Sequence, residues 1–134
     1  MTEPAWVDEP AVLAMHDLSL ARHGGASGIR DINLSLSALA RPRQHFVYAG
    51  TADPIELAAI LTTGIVKSHP VVDGNKRTGF TAGASFLQTN GYRFVASDEA
   101  VVKALLDLAS GAIDEAANAD FLHASSVPDR KSVV

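Results

Sequence analysis

The feature that most constrains this chain is a six-residue interruption, His69-Pro-Val-Val-Asp-Gly74, between two segments that each read as a helix. Asp53-Pro54-x-Glu56 opens the first segment with a capping residue, a proline at the first helical position and an acidic first turn. Ile55, Ala58, Ala59, Leu61 and Ile65 give it an apolar side, and it should run to about Ser68. Pro70 biases His69 toward an extended conformation and so ends that helix. Gly74 lets the backbone turn tightly with no Cβ in the way. The second helix begins near Asn75 and stops at Asn90-Gly91, with Phe80, Ala84 and Leu87 on one face. It also carries Gly79 and Gly83, four positions apart. Each glycine costs about 1 kcal/mol against alanine in a helix, so the pair predicts very close packing against a neighbouring helix.

The flanking sequence is mostly helical as well. Asp8 caps a helix with Pro10 in its first turn; Val12, Leu13, Leu18 and Ala21 follow, and Gly24-Gly25 stops it. Residues 24–33 read as a loop, and residues 34–40 as a short helix ended by Pro42. Residues 41–52 show no clear periodicity. Tyr92-Arg-Phe-Val-Ala-Ser97 reads as a short extended piece, either a hairpin arm or a connector. Ser97-Asp98-Glu99 caps a helix to about Ser110, and Asp114 to His123 forms a last one. The expected organisation is a single domain over residues 1–124, with 125–134 as a frayed tail. A chain of 134 residues buries roughly two-thirds of its unfolded surface, enough for one core.

Charge narrows the partners. Residues 22–93 hold eight Lys/Arg against four Asp/Glu, while the two flanks hold three against eleven. With a pI near 5.6 the chain does not resemble a general nucleic-acid binder, which needs a basic stripe. A basic middle in an acidic shell suits a confined anionic ligand, although charges decorating solvated faces would give the same count. The absence of cysteine excludes disulfides and thiolate metal sites and fits a reducing cytoplasm. The acidic N-terminus does not have the order of a signal peptide, and no apolar run approaches the ~20 residues that cross a bilayer. The expectation is a soluble cytoplasmic protein with no membrane partner.

Polar chemistry is concentrated between His69 and Arg77. The N–H groups around Gly74, Asn75 and Lys76 belong to the first turn of a new helix, where they form a natural cradle for phosphate. Lys76 and Arg77 are badly placed for helix stability, because the positive end of the dipole disfavours cations; an anion bound between them resolves the conflict. Asp73 would repel a phosphate unless Mg²⁺ lay between them. His69 is the residue suited to proton transfer near neutral pH. A lone histidine after a helix would by itself read as a cap, and lysine and arginine alone as solvated charge. The coincidence of all five residues favours a site for phosphate, Mg²⁺ and a general base. A His69–Asp73 transition-metal site lacks a third ligand nearby. His16, His23, His45 and His123 show no ligand-like spacing and read as surface or core residues.

His69-Pro-x-x-Asp73-Gly-Asn75-x-Arg77 resembles the signature of the Fic/Doc family, and Asn75-Lys-Arg-Thr78 resembles its Doc toxin branch. Residues 24–43 and 86–94 resemble the segments before and after the core helices of that branch, so the resemblance covers about residues 12–110. It implies an all-α, compact Fic/Doc-like bundle of about six helices. It further implies a toxin of a Phd/Doc-type toxin–antitoxin pair, transferring the γ-phosphate of ATP to a threonine of elongation factor Tu and arresting translation. Carried over by position, His69 is the base and Asp73 holds Mg²⁺. Gly74 and Asn75 form the anion hole, Lys76 and Arg77 bind phosphates, and Arg22 matches an arginine near the nucleotide.

Two departures bear on the reaction. Val71 stands where both branches commonly carry phenylalanine, which weakens the loop's anchor and keeps open a catalytically weak, antitoxin-binding protein. Phe80 stands where AMP-transferring relatives carry a second arginine, which favours phosphotransfer over AMP transfer. No glutamate precedes glycine or asparagine, so the inhibitory motif of self-blocked relatives is missing. Inhibition is expected in trans, from the C-terminal tail of a Phd-like antitoxin.

Overall fold

The structure is a computed structural model that describes residues 3–25, 32–50, 53–68 and 74–129. Six helices follow one another: α1 (Glu9–His23), α2 (Ile32–Ala49), α3 (Pro54–Ser68), α4 (Asn75–Thr89), α5 (Asp98–Ser110) and α6 (Glu115–Ser125). A two-stranded antiparallel ribbon, β1 (Tyr92–Phe94) with β2 (Ser126–Pro128), completes an all-α bundle.

Helix α3 is the axis. Every residue from Leu57 to Val66 is buried, as an apolar helix requires when neighbours surround it. It packs on α2, α4 and α6. The glycine pair of α4 performs the close approach expected of it. A Cβ on Gly79 would stand 2.9 Å from Val66 Cγ2, and one on Gly83 would overlap Thr62 Oγ1. That hydroxyl donates to the Gly79 carbonyl at 3.0 Å, so α3 and α4 are close enough to hydrogen-bond side chain to backbone. Phe86 of α4 stacks on Trp6, which meets Phe46 of α2 edge-on.

Four helices carry the N-terminal caps the sequence predicts. Asp8, Asp53, Ser97 and Asp114 accept from the N–H groups of Ala11, Ile55, Ala100 and Ala117. Two expectations are corrected. Helix α2 does not end before Pro42 but passes through it to Ala49. Proline removes one helical hydrogen bond, yet Ala38 before it and Phe46 after it pack into the core, and these tertiary contacts hold the helix straight through. Residues 125–129, placed with the tail by sequence, form the last residue of α6, strand β2 and Asp129. The edge of β1 gives that segment backbone partners: Val95 N–H donates to Ser125 O at 2.7 Å, and Asp129 N–H to Gly91 O at 2.9 Å. Residues 130–134 lie outside the described residues.

The N-terminal segment reaches the same place. Asn90 accepts from Ala5 N–H at 2.8 Å and donates back to Ala5 O at 3.0 Å, capturing the backbone on both sides. No helix among the described residues is long and apolar enough to cross a membrane.

Candidate functional site

The candidate site is the beginning of α4. Its N-cap, Gly74, has φ +80°, in the left-handed region open to glycine. It offers no side chain to the first turn, unlike the capped starts of α1, α3, α5 and α6. No acidic residue lies in that turn, where Lys76 and Arg77 stand instead. Backbone N–H groups and the positive end of the helix dipole therefore meet at one turn, which also carries two cations in its sequence. The donor set fits phosphate oxygens.

Arg77 is held in place by α1. Its Nε donates to Ser19 Oγ at 3.0 Å and its Nη2 to Gly24 O at 3.4 Å. The guanidinium also lies against Gly74, where an added Cβ would be 3.4 Å from Nη2. Lys76 is exposed beside it. Arg22, in the last turn of α1, joins Arg77 in lining a groove of about 420 Å³ between α1, α4 and α5. The apolar part of the groove comes from Leu18, Phe80 and Val102. Phe80 is half-buried and packs edge-on against Phe94, with ring centroids 5.4 Å apart. The position that could have carried a second guanidinium therefore forms part of the hydrophobic wall.

The structure thus brings together Gly74, Asn75, Lys76, Arg77 and Arg22. His69 and Asp73, the expected base and the expected Mg²⁺ ligand, lie outside the described residues, as does the departure at Val71. Among the described residues no group of three His, Asp or Glu could hold a metal ion.

Sequence reasoning passed over two residues of α1. Ser19 positions Arg77. His16, read there as surface or core, is 2% exposed and sits under the turn, with Nδ1 3.3 Å from Thr78 Oγ1. One signal was available: Val12 and His16 are four apart and share the buried face of α1.

Residues 6–87 match the model of the Fic/DOC family. The chain is 30% identical over 101 residues to a protein kinase doc of Escherichia phage P1, covering 75% of this chain and 76% of that one. It is 38% identical over 98 residues to a toxin Doc of Mycolicibacterium smegmatis, covering 72% and 71% respectively.

Proposed function

The chain belongs to the Fic/DOC family, and we propose that it is the toxin of a toxin–antitoxin pair, a phosphotransferase acting on a protein hydroxyl. The threonine of elongation factor Tu is the proposed acceptor, Mg²⁺ and ATP are the proposed cofactors, and the cytoplasm is the proposed compartment. The observation that carries the reading is the turn at Gly74–Arg77, a helix start with glycine at its N-cap and two cations in its first turn, beside a groove with Phe80 in its wall. The names of the two relatives, one a toxin and one a protein kinase, support the same direction.

In this reading Mg²⁺-ATP supplies the phosphoryl group and the counter-charge that lets the group be transferred. The rest falls to the chain. His69 would take the proton from the attacking hydroxyl as its bond to the γ-phosphorus forms and the bond from that phosphorus to the β,γ-bridging oxygen breaks, with ADP as the leaving group. Asp73 supplies a hard oxygen ligand to the metal ion. The N–H groups at Gly74 and Asn75 and the Asn75 side chain hold phosphate oxygens, as preorganised donors must if they are to stabilise developing charge. Lys76, Arg77 and Arg22 neutralise the polyphosphate.

Control is proposed to come from an antitoxin. The groove between α1, α4 and α5 combines exposed Leu18 and Val102 with Arg22 and Arg77. It suits an acidic amphipathic helix that orders on binding and competes with phosphates.

Incubating the protein with elongation factor Tu and ATP labelled at the α or the γ position tests the reading. Label from the γ position alone supports it, and label from the α position replaces it with AMP transfer. No transfer, with the antitoxin tail still bound, favours the weak binder that Val71 suggests.

A further inference from the structure

We propose that His16 is a positioning residue for this site: through Thr78 it fixes the first turn of α4, and with it the backbone N–H groups that face the phosphate. The inference rests on the phosphotransferase reading above, because it concerns the same turn.

Three observations carry it. First, one imidazole bonds one end of the turn and lies on the side of the other end where a Cβ would project. Its Nδ1 meets Thr78 Oγ1 at 3.3 Å, and its Cε1 and Nδ1 would stand 3.8 and 3.9 Å from a Cβ on Gly74. Thr78 is itself 1% exposed, and its N–H donates to Gly74 O at 2.9 Å, closing the turn from within. Second, the other ring nitrogen, Nε2, is buried with no hydrogen-bond partner among the described residues. An aliphatic side chain of similar size would spare that nitrogen but would take the ring's bond away from the buried Thr78 hydroxyl, so the contact with Thr78 is what the histidine makes at the cost of its second nitrogen. Third, Ser19 lies three residues along the same helix and binds the Arg77 guanidinium. Helix α1 therefore grips α4 twice within one turn, His16 at Thr78 and Ser19 at Arg77.

Placement matters because donors to a transferring group act through aim. An offset of about 1 Å in such a group can cost about a hundredfold in rate. The buried bond between His16 and Thr78, 62 residues apart in sequence, is one of the two means by which α1 sets that aim.

The test uses paired variants. Thr78→Val removes the hydroxyl at nearly constant volume and Thr78→Ser keeps it; His16→Leu removes the ring nitrogens and His16→Gln keeps a polar group. Two readouts are taken: steady-state transfer from γ-labelled ATP, and the backbone amide shifts of Asn75 and Lys76 on titration with inorganic phosphate. We expect Thr78→Val and His16→Leu to lower kcat about 3–10-fold, the size of one lost hydrogen bond, with the KM for ATP changed less than twofold. The phosphate-induced shifts should shrink in both, and Thr78→Ser and His16→Gln should restore them. Lowered melting temperatures with unchanged kcat per folded molecule and unchanged phosphate shifts would overturn the inference. So would a wild-type protein that shows no phosphate response, or a Thr78→Val protein that fails to fold where Thr78→Ser folds. Should His16→Leu not fold, the Thr78 pair decides. If no label leaves ATP, the phosphotransferase reading falls, and the phosphate titration still decides the role of His16.

Discussion

Lys76 and Arg77 are neighbours in sequence but are held differently. Arg77 is tied to a hydroxyl and a carbonyl of α1 before any ligand arrives, whereas Lys76 stands exposed. A placed guanidinium loses little side-chain entropy on binding, while the lysine must be ordered by the ligand. Lys76→Ala should therefore raise the KM for ATP about fivefold while kcat changes less, measured with γ-labelled ATP. His69→Ala should lose about 10²–10⁴ in rate and abolish toxicity, the usual size of a general-base effect. Growth arrest equal to wild type at equal soluble protein would remove His69 from that role. The polar cluster from His69 to Arg77 could be read from sequence because its members adjoin along the chain. Ser19 could not, and spacing placed His16 only on the buried face of α1, since the two come within bonding distance of Arg77 and Thr78 only when α1 packs on α4.

At the scale of elements, the α3–α4 contact bears the most demanding geometry. Gly83→Ala adds a methyl where Thr62 Oγ1 already lies, and Ala58 O stands 3.4 Å from the same point. The helix gains about 1 kcal/mol of propensity from the substitution. Against that, Thr62 must abandon its bond to Gly79 O and the helices must part, an overpacking cost of about 1–3 kcal/mol. We expect a net loss of about 1 kcal/mol by denaturant titration, partly recovered in Gly83→Ala/Thr62→Ala. A Gly83→Ala protein more stable than wild type would contradict the contact. The starts of α1, α3, α5 and α6 were legible because capping chemistry is local, and the glycine spacing announced the close contact. The run of α2 through Pro42 was not legible, because only contacts from other helices hold it there. Strand β2 was equally hidden: three residues have no periodicity to read, and its partner lies some 34 residues earlier.

At the scale of the whole molecule, one polar link between distant elements among the described residues has a shifted pKa. His123, near the end of α6, has Nε2 2.8 Å from Asp53 Oδ2 and Nδ1 2.8 Å from Ala119 O. With an acceptor at each nitrogen, the ring is best satisfied as imidazolium. The hydrogen bond to Asp53 raises its pKa above the ordinary 6.5, helped by the Ala119 carbonyl and the charges of Asp53 and Asp120, while burial opposes. A raised value means that the stabilisation is complete below pH 6.5 and is lost as pH climbs through the folded-state value. Both side chains are partly exposed, so the effect should be about 0.5 kcal/mol. The melting temperature should fall slightly across that window, and His123→Gln should flatten the fall; a wild-type curve that rises there would reverse the sign. A larger consequence follows from the two residues that come directly after α4. Asn90 grips the backbone at Ala5, and Gly91 accepts from Asp129, so segments 124 positions apart are fastened to adjacent residues. The polypeptide is thereby almost a ring. A circular permutant joining the two segments through a short Gly/Ser linker and opened at the exposed Gly111 should keep native helicity by circular dichroism and unfold in one transition.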